Sequence, residues 1–316
     1  MGLFFYTIFV IQLIKKKGVL FMKTTDDKYL EYPILFKVKE NLELSGHAPN
    51  TIKNYVAGIY RFLEFTQIDD YNQLDLNHFR DYLIYLNSTD LNKRTVNTNN
   101  SYIRYFYQAI LLKDINPFVV PMVKFKKKEI DFLTDHQIVA LLNASKVDSK
   151  TDCIIKLGLC CGLRINEIVN LKVSDIHVDS MTVFVSESKR NKSRFVPLDN
   201  TVYLALSRYS KENHLKINDF LFTYTRNKHK TNNQSIRYNF YIYRDKANLP
   251  SSITFHSLRH TFAINYLNSG GDLIHLKYLM GHGSIASTTA YLHVAYNLKM
   301  KIPSFIDSLL GGSSND

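Results

Sequence analysis

The sequence has little cysteine, and the three that it has are not spaced as metal ligands. They stand at positions 153, 160 and 161 of 316 residues. An odd, low count without ligand spacing argues against a disulfide framework and against a zinc site. Cys160 and Cys161 lie in an apolar stretch, so we expect reduced core residues and a cytoplasmic protein.

Long apolar runs are also missing. Residues 2–14 are mostly apolar, but a membrane-spanning helix needs about 20 such residues. The run has no positive region before it and no small-residue cleavage site after it, so it is a poor signal peptide. We expect no membrane role. Residues 1–21 are either an extension upstream of a start at Met22, which we favour, or a short segment that packs on the protein.

The charge balance is strongly positive. Forty Lys and Arg residues face 28 Asp and Glu residues, which gives a formal net charge of +12. Such an excess indicates a polyanionic partner, with DNA or RNA ahead of an acidic membrane surface, although an unspecialised basic protein has the same balance. The chain is 45% hydrophobic, so it can bury a normal core, and its length suggests two domains.

The first domain is predicted to be all-helical. Residues 24–117 contain four apolar stripes with helical spacing, starting near residues 33, 51, 76 and 95. Basic and hydroxyl residues lie in the loops and at the starts of these helices. Four of them are candidate DNA contacts, although each alone suits a solvated face: Lys53, Lys93, Arg94 and Thr95.

Prolines at 117 and 121, followed by lysines, predict a basic linker over residues 118–130. The second domain, residues 131–310, opens with a capping box at Thr134–Gln137. Strands are predicted near residues 181–186 and 194–198, between helices. The predicted fold class is therefore mainly α with a small β-sheet. Residues 311–316 are predicted to form a disordered tail.

Four segments of the second domain carry reactive side chains. Each is weak evidence alone, because a surface Arg–Glu pair, a basic hairpin, a His near an Arg or one of 21 tyrosines usually has no catalytic role. Together they supply what phosphodiester chemistry needs without a metal: guanidiniums for the phosphate oxygens, proton-transfer groups and a nucleophile. The residues are Arg164 with Glu167, Lys189 or Lys192 on the hairpin, His256 with Arg259, and His282 followed by Tyr291.

The order of these segments resembles the tyrosine recombinase (phage-type integrase) family, of which the Xer and Cre recombinases are members. The similar stretches are GLRINEI, SKRNKSRFVPL, HSLRHTFA and LMGH…STTAYLHV, and the resemblance covers about residues 25–300. It implies a helical core-binding domain followed by an α+β catalytic domain. No cofactor and no metal are implied.

The resemblance also implies roles for individual residues. Tyr291 would form a 3′-phosphotyrosine, Arg164 and Arg259 would bind the scissile phosphate, and His256 would assist the deprotonation of the tyrosine. His282 would hydrogen-bond the phosphate, and Glu167 would support the pocket from behind. Lys189 would protonate the leaving 5′-oxygen, with Lys192 on the same hairpin as the alternative. Further DNA contacts are expected at Lys126, Lys127, Lys192 and Arg194.

The implied partner is double-stranded DNA with an inverted-repeat core site, bound by a homotetramer that exchanges strands through a Holliday junction. The C-terminal segment, residues 302–310, would dock on the neighbouring protomer or fold back on its own domain. Two alternatives stay open: a DNA-binding protein that has kept the fold without the chemistry, and a type IB topoisomerase.

Overall fold

The computed structural model describes residues 28–29, 31–125, 129–186, 193–224 and 229–299, the last four as backbone only. Several predictions therefore lie outside the described residues: the extension 1–21, Lys126, Lys127, Lys189, Lys192, the C-terminal segment 302–310 and the tail. The chain divides into two compact units, Met1–Lys127 and Lys128–Asp316.

The described part of the first unit, residues 28–29 and 31–125, contains four α-helices where the apolar stripes predict them. They are α1 (Ile34–Leu44), α2 (Pro49–Thr66), α3 (Leu76–Asn87) and α4 (Lys93–Tyr105). Side chains accept from the backbone at two of their starts, where Asp75 caps α3 and Asn92 caps α4. The ring of Phe62 lies at the centre of the core, with the rings of Phe79, Tyr82, Phe106 and Tyr107 around it.

The beginning of the predicted linker is anchored to α4. The side-chain amide of Asn97 donates to the carbonyl of Val123 and accepts from its N–H, each at 2.8 Å. Asn100 donates to the carbonyl of Pro121 at 3.0 Å, and Val120 is fully buried. Residues 119–123 therefore pack as part of the first unit, because polar side chains on α4 satisfy their backbone groups.

The second unit combines helices with a small sheet. Its helices are α5 (Asp135–Ser145), α6 (Ser149–Cys160), α7 (Ile165–Asn170), α8 (Asn200–Glu212), α9 (Asn233–Lys246), α10 (Phe255–Asn268), α11 (Leu273–Met280) and α12 (Ala286–Lys299). The capping box predicted at Thr134 and Gln137 is present at the start of α5. Helix α10 packs against both α6 and α12, so it lies at the centre of this unit.

The sheet is antiparallel, with strand order β1-β2-β3. Strands β2 (Thr182–Val185) and β3 (Arg194–Pro197) lie within the predicted ranges, whereas β1 (Ile176–His177) was not predicted. Along β3, Arg194 and Val196 are buried while the residues between and after them are exposed. This alternation turns Arg194 towards the interior.

These elements confirm the predicted fold class, which is mainly α with a small β-sheet. The cysteine prediction needs one correction. Cys153 and Cys161 are buried, but Cys160 is exposed, because it lies on the outer face of the last turn of α6. Within the part of the chain that the structure describes, none of the helices is long and apolar enough to cross a membrane.

Candidate active site

A single buried carboxylate brings three arginines together. Glu167 accepts from the Nη1 of Arg164 at 2.9 Å and from both terminal nitrogens of Arg194, at 3.0 and 3.1 Å. The Nη1 of Arg259 lies 3.9 Å from its Oε2. Burial alone would raise the pKa of Glu167, but the bonds and charges of Arg194 and then Arg164 lower it below its usual range. Within the part of the chain that the structure describes, three guanidiniums share one carboxylate, which leaves two positive charges of this cluster uncompensated.

Two carbonyls at chain turns hold Arg259 in place. Its Nη1 donates to the carbonyl of Gly162 at 2.5 Å and its Nη2 to the carbonyl of Met280. The side chain is 1% exposed, and its buried Nε has no hydrogen-bond partner among the residues that the structure describes. Burial and the neighbouring Arg164 lower the pKa of Arg259 to about 9, so it stays charged at neutral pH.

The turns themselves depend on glycine. Gly162 and Gly281 both have positive φ, +60° and +57°. A Cβ on Gly162 would lie 2.4 Å from the ring of Phe262, and one on Gly281 would lie 2.8 Å from the Nη1 of Arg194. The carbonyl of Gly281 also accepts from the Nη2 of Arg164 at 3.2 Å. These close approaches fix where the guanidiniums point.

Tyr291, on α12, lies between two histidines. Its hydroxyl is 2.9 Å from the Nδ1 of His260, and its ring stacks on that of His282 at 6.2 Å between centroids. The side chain is 4% exposed. Burial raises the pKa of Tyr291 above its usual value, while the charges of Arg259 and Arg164 oppose that rise. The arginine cluster thus acts electrostatically on this hydroxyl.

His282 lies beside Tyr291, and His256 lies beside His260. His282 follows α11, and its Nδ1 is 2.9 Å from the hydroxyl of the buried Thr288. Burial and the charges of Arg259 and Arg164 lower the pKa of His282 to about 3. His256 is exposed, and its ring meets that of His260 edge-on at 4.5 Å. Desolvation and the same two arginines lower the pKa of His256 as well.

Most of the predicted pocket residues are therefore brought together: Arg164, Glu167, His256, Arg259, His282 and Tyr291. Lys189 and Lys192 lie outside the described residues, so the choice between them stays open. Arg194 is a correction. It was predicted to contact DNA, but it is 3% exposed and its guanidinium is occupied by Glu167 and by the carbonyl of Leu279.

Sequence reasoning gave little weight to His260 and to the inward position of Arg194. A signal existed for both. His260 is four residues after His256, one helical turn along the same face. Arg194 shares its strand face with the apolar Val196, which the alternation of a strand predicts to be buried.

The candidate DNA contacts of the first unit lie at the surface. Lys53, Lys93 and Arg94 are exposed, and Thr95 is half-buried beside the Asn92 cap. Their role stays a prediction. Within the described ranges, no group of three or more His, Cys, Asp or Glu side chains is arranged to hold a metal ion.

The half-buried histidines His260 and His282 should make the protein less stable in mild acid. Burial lowers the pKa of His260 to about 4 and that of His282 to about 3, from an ordinary value of 6.5. Below pH 6.5 the unfolded chain binds protons that the folded chain does not, so stability falls as the pH drops towards 4. Allowing for partial solvent exposure, we expect a loss of about 2 kcal/mol between pH 7 and pH 5.

This loss is measured by urea unfolding at both pH values, for the wild type and for the double variant His260→Asn/His282→Asn. The variant should lose less stability than the wild type over the same interval. Equal losses would contradict the assignment.

Comparison with known proteins places the chain in a family. The profile of the phage integrase family matches residues 131–297, and that of the phage integrase N-terminal SAM-like domain matches residues 34–117. The chain is 29% identical over 283 residues to the tyrosine recombinase XerC of Bacillus pumilus (strain SAFR-032), covering 84% of this chain and 90% of that protein. The XerC of Staphylococcus aureus (strain bovine RF122 / ET3-1) is 30% identical, with 87% and 95% covered.

Solved structures share the fold at lower identity. The Tn1549 transposon integrase in complex with transposon right end DNA superimposes with a TM-score of 0.68 at 21% identity, covering 84% of this chain and 98% of that one. A lambda integrase dimer bound to a COC′ core site gives a TM-score of 0.68 at 18% identity, with 82% and 94% covered. The family match spans more than half of the chain and includes the whole arginine, histidine and tyrosine pocket, and the chain therefore belongs to the phage integrase family of tyrosine recombinases.

Proposed function

We propose that this recombinase cuts and rejoins double-stranded DNA at a specific site, through a 3′-phosphotyrosine on Tyr291. The observation that carries the proposal is the arginine cluster beside the Tyr291 hydroxyl. Among the described residues, Arg164, Arg194 and Arg259 share only the carboxylate of Glu167, which leaves positive charge inside a largely buried pocket. Buried, unpaired positive charge destabilises the folded protein unless an anion binds beside it. A phosphate of the DNA backbone is such an anion, and its oxygens match the geometry of guanidinium donors.

The two phosphate-binding arginines have different access to solvent. The Arg164 side chain is 30% exposed, so it can meet an incoming phosphate without rearrangement. Arg259 is buried, and its Nε, which has no hydrogen-bond partner among the described residues, leaves an N–H free to donate to the phosphate. Glu167 holds these guanidiniums from behind, Arg194 in turn holds Glu167, and neither of the two touches DNA. His282 donates a hydrogen bond to a phosphate oxygen.

The chemistry follows from these positions. The Tyr291 oxygen attacks the phosphorus, the bond to the 5′-oxygen breaks, and that oxygen takes a proton from Lys189 or Lys192. The tyrosine proton passes to a histidine near the hydroxyl, and His256 is a candidate for this acceptor. Attack by a 5′-hydroxyl from a partner strand then reverses the step and releases Tyr291.

The wider assembly is proposed from the relatives. We propose an inverted-repeat core site and a homotetramer that passes through a Holliday junction, acting on a mobile element or a replicon. The exposed Lys53, Lys93 and Arg94 would bind the backbone of the DNA from the first unit. The C-terminal segment, residues 302–310, is proposed to dock on a neighbouring protomer. Three free thiols suit the cytoplasm as compartment.

The test uses a duplex that carries one half-site and a nick close to the cleavage position. Cleavage then releases a short oligonucleotide that diffuses away, so the covalent protein–DNA product cannot be religated. We expect the wild type to give a protein–DNA adduct on a denaturing gel and Tyr291→Phe to give none. If no candidate site gives an adduct with the wild type, the enzymatic proposal fails. An adduct that survives Tyr291→Phe would remove Tyr291 as the nucleophile. Relaxation of supercoils without recombination between two sites would indicate a topoisomerase.

A further inference from the structure

The hydroxyl of Tyr291 has a direct partner other than His256. The Nδ1 of His260 lies 2.9 Å from that oxygen, and the two rings are 5.4 Å apart. His256 lies beyond it, with its ring edge-on to that of His260. Among the described residues, His260 is thus the ionisable side chain within hydrogen-bond distance of the Tyr291 hydroxyl.

The surroundings of His260 keep its ring neutral. Burial and the charges of His256 and Arg259 lower the pKa of His260 to about 4, and Asp131 opposes them. His256 and Arg259 lie on the same helix, Tyr291 faces the ring from α12, and Asp131 faces it from the segment before α5. A neutral ring protonated on Nε2 presents its Nδ1 lone pair to the tyrosine O–H.

We infer that His260 holds the Tyr291 hydroxyl and takes its proton as the oxygen attacks the phosphate. The inference rests on the proposed function and assigns one step of it. The O–H bond of Tyr291 breaks, the proton moves to the Nδ1 of His260, and the oxygen–phosphorus bond forms. In the reverse reaction the same proton returns to the tyrosine oxygen as its bond to phosphorus breaks. No other reactant is consumed.

Binding of DNA makes His260 a better base. The bound phosphate brings a negative charge to the arginine cluster and offsets Arg259, one of the groups that disfavour protonation of His260. Asp131 favours the imidazolium that forms. The proton therefore has an acceptor whose basicity rises when substrate is present.

The contact can be separated from the proton transfer by two substitutions. His260→Asn places an amide near the position of Nδ1, so it keeps a hydrogen bond to Tyr291 but cannot take the proton. His260→Ala removes both. The chain offers a matched control in His275, whose Nδ1 makes a 2.8 Å bond to the hydroxyl of Tyr266 at an exposed position. His275→Asn should cleave like the wild type.

Single-turnover cleavage is measured on two half-site duplexes. One has the normal phosphodiester at the cleavage position, and in the other sulfur replaces the bridging 5′-oxygen. We expect His260→Asn and His260→Ala to form the Tyr291 adduct ~10²–10⁴ times more slowly than the wild type. The defect should persist with bridging sulfur, because a thiolate leaves without a proton and only the step at the nucleophile stays slow. Added imidazole should partly restore His260→Ala.

The pH profile supplies a readout that a structural role would not change. The wild-type rate should be nearly flat from pH 6 to pH 9, whereas that of His260→Asn should rise about tenfold per pH unit, because hydroxide must then ionise the phenol. An unchanged profile and rate in His260→Asn would overturn the inference, and so would rescue by the sulfur substrate. Neither result removes the proposed function, which fails only if the wild type forms no adduct.

Discussion

We expect Glu167→Ala to destabilise the second unit by about 3–5 kcal/mol, because it leaves buried guanidiniums without their counter-ion. Arg194 and Arg259 are 3% and 1% exposed, so water cannot replace the lost carboxylate. Glu167→Gln should cost less, since an amide oxygen still accepts one of the hydrogen bonds but carries no charge. Adduct formation should fall in both variants, because both remove the negative charge that orients Arg164, which lies at 2.9 Å from Glu167.

Hydrogen exchange followed by mass spectrometry reports the two units separately and is therefore the measurement of choice. The matched control is Glu43→Ala, which removes a Lys39–Glu43 pair whose side chains are 45% and 54% exposed. Exposed pairs contribute about 0–1 kcal/mol, so this variant should resemble the wild type. A loss below about 1 kcal/mol in Glu167→Ala would show that the cluster does not depend on its carboxylate.

The role of Glu167 shows how far the sequence alone can go. Its spacing of three residues from Arg164 predicts their pairing, because residues that far apart face each other on a helix. The pairing with Arg194 joins residues 27 positions apart, and that of Arg259 with Gly162 joins residues 97 apart. Such contacts leave no local pattern. The first follows from where β3 lies beside α7 and the second from the way α10 packs against α6, and both depend on the whole core.

Local structure was predictable where the chain carries its own signal. The capping box at Thr134 and the helical stripes of the first unit depend on neighbours within a few residues, and all of them are present. Strand β1 has only two residues, too few for an alternation, and it forms because β2 offers a pairing edge. His260 shows the limit for the site. Its position on the helix face was visible, but its contact with Tyr291 depends on how α12 packs against α10.

DNA binding should fall steeply with salt, by ~10³–10⁵-fold between 50 and 200 mM for ~6–10 phosphate contacts. The formal net charge of +12 and the exposed Lys53, Lys93 and Arg94 give the physical reason, since each neutralised phosphate releases condensed counter-ions. Fluorescence anisotropy with Tyr291→Phe measures this on uncut duplex, because that variant cannot form a covalent product. A flat response would contradict a backbone-binding interface.

The slope of DNA affinity against salt concentration also tests whether Lys93 and Arg94 contact the DNA. Replacing both Lys93 and Arg94 with Ala should lower the salt slope by about two, because each contact contributes close to one unit. Lys37→Ala is the matched control, since Lys37 is also exposed in the first unit but is not among the predicted contacts. An unchanged slope in the double variant would place the DNA on another face. Arg194 should contribute nothing to the slope, because its charge is already paired with Glu167 inside the protein.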